Sequence, residues 1–151
     1  MGSPMARNLA DAGFEPTIFN RTSSRAEKFA EENSATVAYD LAELASQSEV
    51  VVTMLPGPPE VEAVVAGEDG LLQFMNEGTL LVDMSTSSPV LARTLSREAA
   101  RRGIGMLDAP VSGGDVAADQ GTLSIMIGGS EADFERARVA STPRPTEATF
   151  T

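Results

Sequence analysis

Glu49-Val50-Val51-Val52-Thr53-Met54-Leu55 is a nearly continuous run of apolar and β-branched residues, halted by Pro56-Gly57-Pro58-Pro59. A strand with one wet face alternates apolar and polar positions. An unbroken run instead predicts a strand covered on both faces, as in a parallel sheet. The pattern recurs in Gly78-Thr79-Leu80-Leu81-Val82-Asp83-Met84, broken at Ser85-Thr86-Ser87-Ser88-Pro89, and again over Ile104 to Leu107. Helical segments separate these runs. One covers Glu60 to Ala66; another covers Pro89 to Arg102, with Leu91, Leu95 and Ala99 spaced to face inward. Arg93, Arg97 and Arg101 fall on a different face of the second helix and read as solvated surface. Strands alternating with short helices predict an α/β fold with a mostly parallel, doubly wound sheet.

Toward the start of the chain the alternation continues. Ser3 as N-cap and Pro4 at the first helical position open a helix through Met5, Leu9 and Ala12, closed by Gly13. A strand over Pro16 to Phe19, a helix over Ser24 to Glu32, a strand over Ala35 to Ala38 and a helix over Leu41 to Ala45 follow. Toward the end, Asp108-Ala109-Pro110-Val111 leads from an apolar strand into Ser112-Gly113-Gly114. There a hydroxyl sits beside two residues that let a ligand approach the backbone. Gly121-Thr122 turns into the alternating strand Leu123 to Ile127, closed by Gly128-Gly129, and a helix follows over Glu131 to Val139. Residues 140–151 contain Ser141-Thr142-Pro143-Arg144-Pro145-Thr146, lack an apolar period and read as an irregular tail.

The 151 residues suffice for one domain with a real core, and no apolar run is long enough to cross a bilayer. The start, Met1-Gly2-Ser3-Pro4, has neither the basic region nor the apolar stretch of a secretory signal. The chain has no cysteine and no histidine. It therefore has no disulfide framework or thiolate metal site, and lacks the commonest metal ligand and general base; no metal is expected, and the cysteine count fits a cytoplasmic protein. A net charge of −11 argues against nucleic acid held on a broad basic face. Lys28 is the sole lysine.

In a doubly wound sheet, ligands bind outside the carboxyl ends of the strands. Those ends carry Asn20-Arg21-Thr22, Met54-Leu55-Pro56, Ser85-Thr86 and Ser112-Gly113-Gly114, each directly after an apolar run. The first group lies where a dinucleotide's adenosine ribose would meet the sheet. It offers an amide, a guanidinium and a hydroxyl but no acid, which favours the 2′-phosphate of NADP over the bare ribose of NAD, with NAD still possible. A phosphate turn of the G-x-G-x-x-G type follows a first strand and feeds the first helix, and only Gly2 is placed to be its final glycine. The expectation is thus a Rossmann-type sheet lacking its first strand.

Taken together, Met1 to Gly13 (MGSPMARNLADAG), NRT at Asn20, TMLP at Thr53, DMSTSSP at Asp83, and DAPVSGG with GTLSIMIGG over Asp108 to Gly129 resemble the β-hydroxyacid dehydrogenase family. That family, with its 3-hydroxyisobutyrate dehydrogenases and glyoxylate/succinic semialdehyde reductases, lies within the 6-phosphogluconate dehydrogenase superfamily. The resemblance implies a cofactor domain followed by an all-helical domain that completes the site and mediates homo-oligomers. It places Gly2, Met5, Asn20, Arg21, Thr22, Met54, Leu55, Pro56 and Thr86 at the cofactor, Thr86 by the nicotinamide. Ser112, Gly113 and Gly114 would hold the carboxylate and hydroxyl of a small hydroxy acid or its aldehyde. The Lys that serves the family as acid and base belongs to the helical domain, so this chain offers no catalytic residue. The layout expected is a cofactor-binding domain over residues 1–139, short at its start, then the tail, without the helical domain. Three readings follow: an NADP-linked oxidoreductase of a small 3-hydroxy acid and its semialdehyde, a non-catalytic NADP-binding module, or an inactive fragment.

Overall fold

The computed structural model describes residues 1–140; the tail expected over 140–151 lies, from residue 141 on, outside the described residues. The chain alternates as expected. Helix α1 (Gly2–Asp11), strand β1 (Thr17–Ile18), α2 (Ser23–Glu32), β2 (Thr36–Val37) and α3 (Leu41–Ser46) precede the central run β3 (Val50–Thr53). Then come α4 (Pro58–Ala66), α5 (Leu71–Phe74), β4 (Leu80–Asp83), α6 (Pro89–Arg101) and β5 (Gly105–Asp108). The last part comprises β6 (Val111–Ser112), α7 (Gly114–Asp119), β7 (Ser124–Ile125) and α8 (Glu131–Ala140).

β3, β4 and β5 form one parallel sheet, with Val51 opposite Leu81 and Leu81 opposite Met106. β1 and β2 form a second parallel pair, with Ile18 opposite Val37. The two sheets do not pair with each other. The runs β2-β1 and β3-β4-β5 correspond to strands 3-2 and 4-5-6 of the doubly wound order 3-2-1-4-5-6. β6 and β7 make a small antiparallel pair, and Gly128 bridges back to Asp108.

The core lies on one face of the three-stranded sheet. Val51, Leu81 and Met106 pack there with Val61, Val65, Leu71, Leu72, Leu95 and Ala99 from α4, α5 and α6. α6 forms where the sequence predicts: Pro89 occupies its first turn, and the Ser88 hydroxyl accepts the Leu91 N–H at 3.1 Å. Its Leu95 and Ala99 are buried while Arg93, Arg97 and Arg101 stay exposed.

Four expectations need correction. α1 begins at Gly2 with Met1 as its cap, and Ser3 makes no capping bond. First-turn N–H groups have no partner inside a helix in any case, so Pro4 one turn in costs nothing and the helix starts earlier. β3 is not covered on both faces: Val52 is 45% exposed. α8 packs chiefly on β5 and β4, and β3 is the edge strand of the sheet. Pro58 and Pro59 do not merely halt a strand; they open α4. α8 runs through Ala140, one residue into the segment expected to be irregular.

Candidate functional site

α1 directs its N-terminus at the carboxyl end of β3. A Cβ placed on Gly2 would lie 3.7 Å from the Cβ of Met54. Between them opens a cleft of about 340 Å³ lined by Met1, Gly2, Met54, Leu55, Pro56 and Thr86. Five of these six were candidates from sequence. Met1 was not, because a first-position methionine carries no pattern; only the packing of α1 brings it here. The first turn of α1 has no acidic residue and no side-chain cap, so its free N–H groups remain available to an anion. Apolar walls, one hydroxyl and an uncapped helix start suit a dinucleotide whose pyrophosphate meets α1 and whose ring lies toward Thr86.

The other candidates stand outside this cleft. Met5 is half-buried on α1 and does not line it. Asn20, Arg21 and Thr22 lie in the turn after β1, all exposed. Asn20 Oδ1 accepts the Thr22 N–H at 2.9 Å, and Thr22 then caps α2 without a side-chain bond. Arg21 forms no ion pair with a described residue.

Ser112 is placed differently from the expectation. It does not end a parallel strand: β5 stops at Asp108, and Ser112 belongs to β6, paired with Ser124 across an antiparallel register. Gly113 then caps α7 at φ 136°, and Gly114 opens the helix at φ 68°. A Cβ on Gly113 would meet the Ala117 Cβ at 2.6 Å, so both backbone angle and space require glycine there. Three contacts dock α7 on α1: the Met1 ammonium with Asp115 at 3.3 Å, Arg7 with Asp119 at 3.5 Å, and Asn8 Nδ2 donating to Ala118 O at 2.6 Å. The first brings the residue after Gly114 to the cleft-lining Met1. The Ser112–Gly114 turn and the cleft are thereby neighbours.

Beneath the cleft lies a polar cluster that sequence reasoning missed. Thr53, Asp83 and Ser85 are buried at the carboxyl ends of β3 and β4. Asp108 faces Asp83 in the β4–β5 register. Burial pushes the Asp108 carboxyl above the usual carboxylate range, and the neighbouring Asp83 pushes it further. The available signal was an acid inside the apolar run Gly78 to Met84, since a buried carboxylate needs partners. A second open cleft of about 400 Å³, between Leu107, Ile127 and Phe134, holds none of the candidate residues.

Comparison with known proteins agrees with the fold. Residues 1–140 match the family model described as the NAD binding domain of 6-phosphogluconate dehydrogenase. The chain is 41% identical over 138 residues to the 3-hydroxyisobutyrate dehydrogenase of Pseudomonas aeruginosa, covering 91% of this chain and 46% of that protein. It spans about half the length of the curated relatives it matches. Among solved structures, the Mycobacterium tuberculosis 3-hydroxyisobutyrate dehydrogenase with L-serine superposes with a TM-score of 0.84 at 36% identity, over 95% of this chain and 48% of that one. Psf3 in complex with NADP+ and 2-OPP gives 0.87 at 27% identity, over 93% and 50% respectively.

Proposed function

The chain belongs to the family of the NAD binding domain of 6-phosphogluconate dehydrogenase, and from that premise we propose that it binds NADP across the carboxyl ends of β1, β3 and β4. It serves as the cofactor domain of an oxidoreductase that interconverts a small 3-hydroxy acid and its semialdehyde. The observation that carries this reading is the cleft itself. The uncapped start of α1, the Met54–Pro56 turn and Thr86 converge there from three separate elements.

Each group has a part. The N–H groups of α1 hold the pyrophosphate, Gly2 lets it approach, and Leu55 and Pro56 wall the cofactor. Arg21, exposed and without an ion pair to a described residue, meets the 2′-phosphate, which favours NADP over NAD. A bound nicotinamide supplies or accepts the hydride. Ser112, Gly113 and Gly114 cradle the substrate's carboxylate and hydroxyl from the neighbouring turn. Support for NADP also comes from Psf3, solved with NADP+. Support for the hydroxy acid comes from relatives named as 3-hydroxyisobutyrate dehydrogenases.

The lysine that the family resemblance implies has no counterpart at the cleft. Lys28 lies on α2, 3.9 Å from Glu32. Proton transfer by a positioned group contributes on the order of 10²–10⁴-fold, so this chain by itself should bind without turning over. A cytoplasmic setting is part of the reading; no helix among the described residues is long and apolar enough to cross a membrane. A dye-based thermal shift tests the proposal, because a ligand that binds only the native state raises the midpoint. NADPH should raise it in a concentration-dependent way. An unmoved midpoint at millimolar NADPH would sink the reading.

A further inference from the structure

The backbone hydrogen bonds of the parallel sheet stop where the cleft begins. Met84 N–H donates to Thr53 O at 2.8 Å, and beyond that rung β3 has left the sheet. Leu55, Pro56 and Thr86 must nevertheless hold a fixed relation if they are to shape one wall. Side chains continue the ladder. The Thr53 hydroxyl donates to Asp83 Oδ1 at 2.8 Å. The Ser85 N–H donates to the same oxygen at 3.1 Å, which bends the chain after β4 back on itself. The Leu55 N–H donates to Ser85 Oγ at 2.8 Å, across from one turn to the other. Asp83 is 1% exposed and Ser85 is fully buried, so water cannot replace either acceptor cheaply.

Resting on the cofactor reading above, we propose that Asp83 and Ser85 are positioning residues for the nicotinamide end of the cleft. Neither lines it. Asp83 fixes Ser85, Ser85 fixes Leu55, and Leu55 carries Met54 and Pro56 into register with Thr86. The carboxylate accepts on one oxygen from both Thr53 and Ser85, so a single group sets both turns. The adenosine end, at Asn20 to Thr22, hangs on the separate β1–β2 pair and, among the described residues, shares no hydrogen bond with this cluster.

That separation supplies the test. Ser85→Ala leaves the partly buried Leu55 N–H without its acceptor. It should speed amide exchange at Leu55 and weaken NADPH binding on the order of tenfold. Adenosine 2′,5′-bisphosphate, which lacks the nicotinamide half, should bind the variant within about twofold of wild type, a split that a general loss of structure would not give. Should Ser85→Ala fail to fold, Thr53→Val and Thr53→Ser carry the same comparison. The valine variant loses the hydroxyl and should show the selective loss, whereas the serine variant keeps it and should restore NADPH affinity. Equal loss for the bisphosphate and NADPH, or unchanged Leu55 exchange in Ser85→Ala, overturns the inference alone. Wild-type protein that binds neither ligand overturns the cofactor reading and this inference with it.

Discussion

Asp108 stands opposite Asp83 at the edge of the polar cluster, and its raised pKa has a consequence for stability. Above the ordinary carboxylate range the unfolded chain has released this proton while the folded chain still holds it. Asp108 thus contributes fully below that range, and its contribution falls as pH rises through the folded value. Asp108→Asn should flatten that part of the stability-against-pH curve, measured by urea unfolding from pH 3.5 to 7. A variant curve parallel to wild type would show that Asp108 carries no such strain. Individual site residues were unevenly legible in the sequence. Met54, Leu55, Pro56 and Thr86 could be named because they sit where apolar runs break, and Gly2 because it stands where the last glycine of a phosphate turn feeds a helix. The cluster under them could not, because Thr53, Asp83 and Ser85 acquire their partners only when β3 and β4 align in register.

Among the elements, α6 shows how far periodicity reaches. Leu95 and Ala99 are buried and Arg97 is exposed, as their spacing requires. Leu95→Ala should cost about 2–5 kcal/mol in urea unfolding, by lost transfer energy plus the cavity left in the core. Arg97→Ala should stay within about 0.5 kcal/mol. A comparable loss in both would mean that the arginine face is packed rather than solvated. Periodicity failed where elements are short or begin with unusual residues. α5 and α7 have four and six residues, too few for a period to show. α4 opens with Pro58 and Pro59, which look like a break although proline suits a helix's first turn. The strand expected over Leu123 to Ile127 pairs only at Ser124–Ile125, and Ile125, Met126 and Ile127 remain exposed. Alternation there did not mark a buried face.

At the scale of the whole molecule the parallel strands fall in two pieces, β2-β1 and β3-β4-β5, which do not pair with each other. The fold class was legible because the apolar runs alternate with helices. Two strands of two residues each form a weak unit, whereas the three-stranded sheet carries the core. Amides of Thr36 and Ala38, bonded to Pro16 and Ile18, should therefore exchange well before those of Leu80 to Asp83. Simultaneous exchange would mean that both pieces open together. The proposed function requires the two pieces to grip one ligand, with the β3–β4 cleft taking the nicotinamide half and Arg21, on the β1 side, taking the 2′-phosphate. Calorimetric titration of NADPH and NADH into wild type and Arg21→Ala addresses that claim most directly. Wild type should bind one NADPH per chain more tightly than NADH, and Arg21→Ala should lose on the order of tenfold for NADPH with little change for NADH. No saturable NADPH binding, or an equal loss for both cofactors in Arg21→Ala, would contradict it.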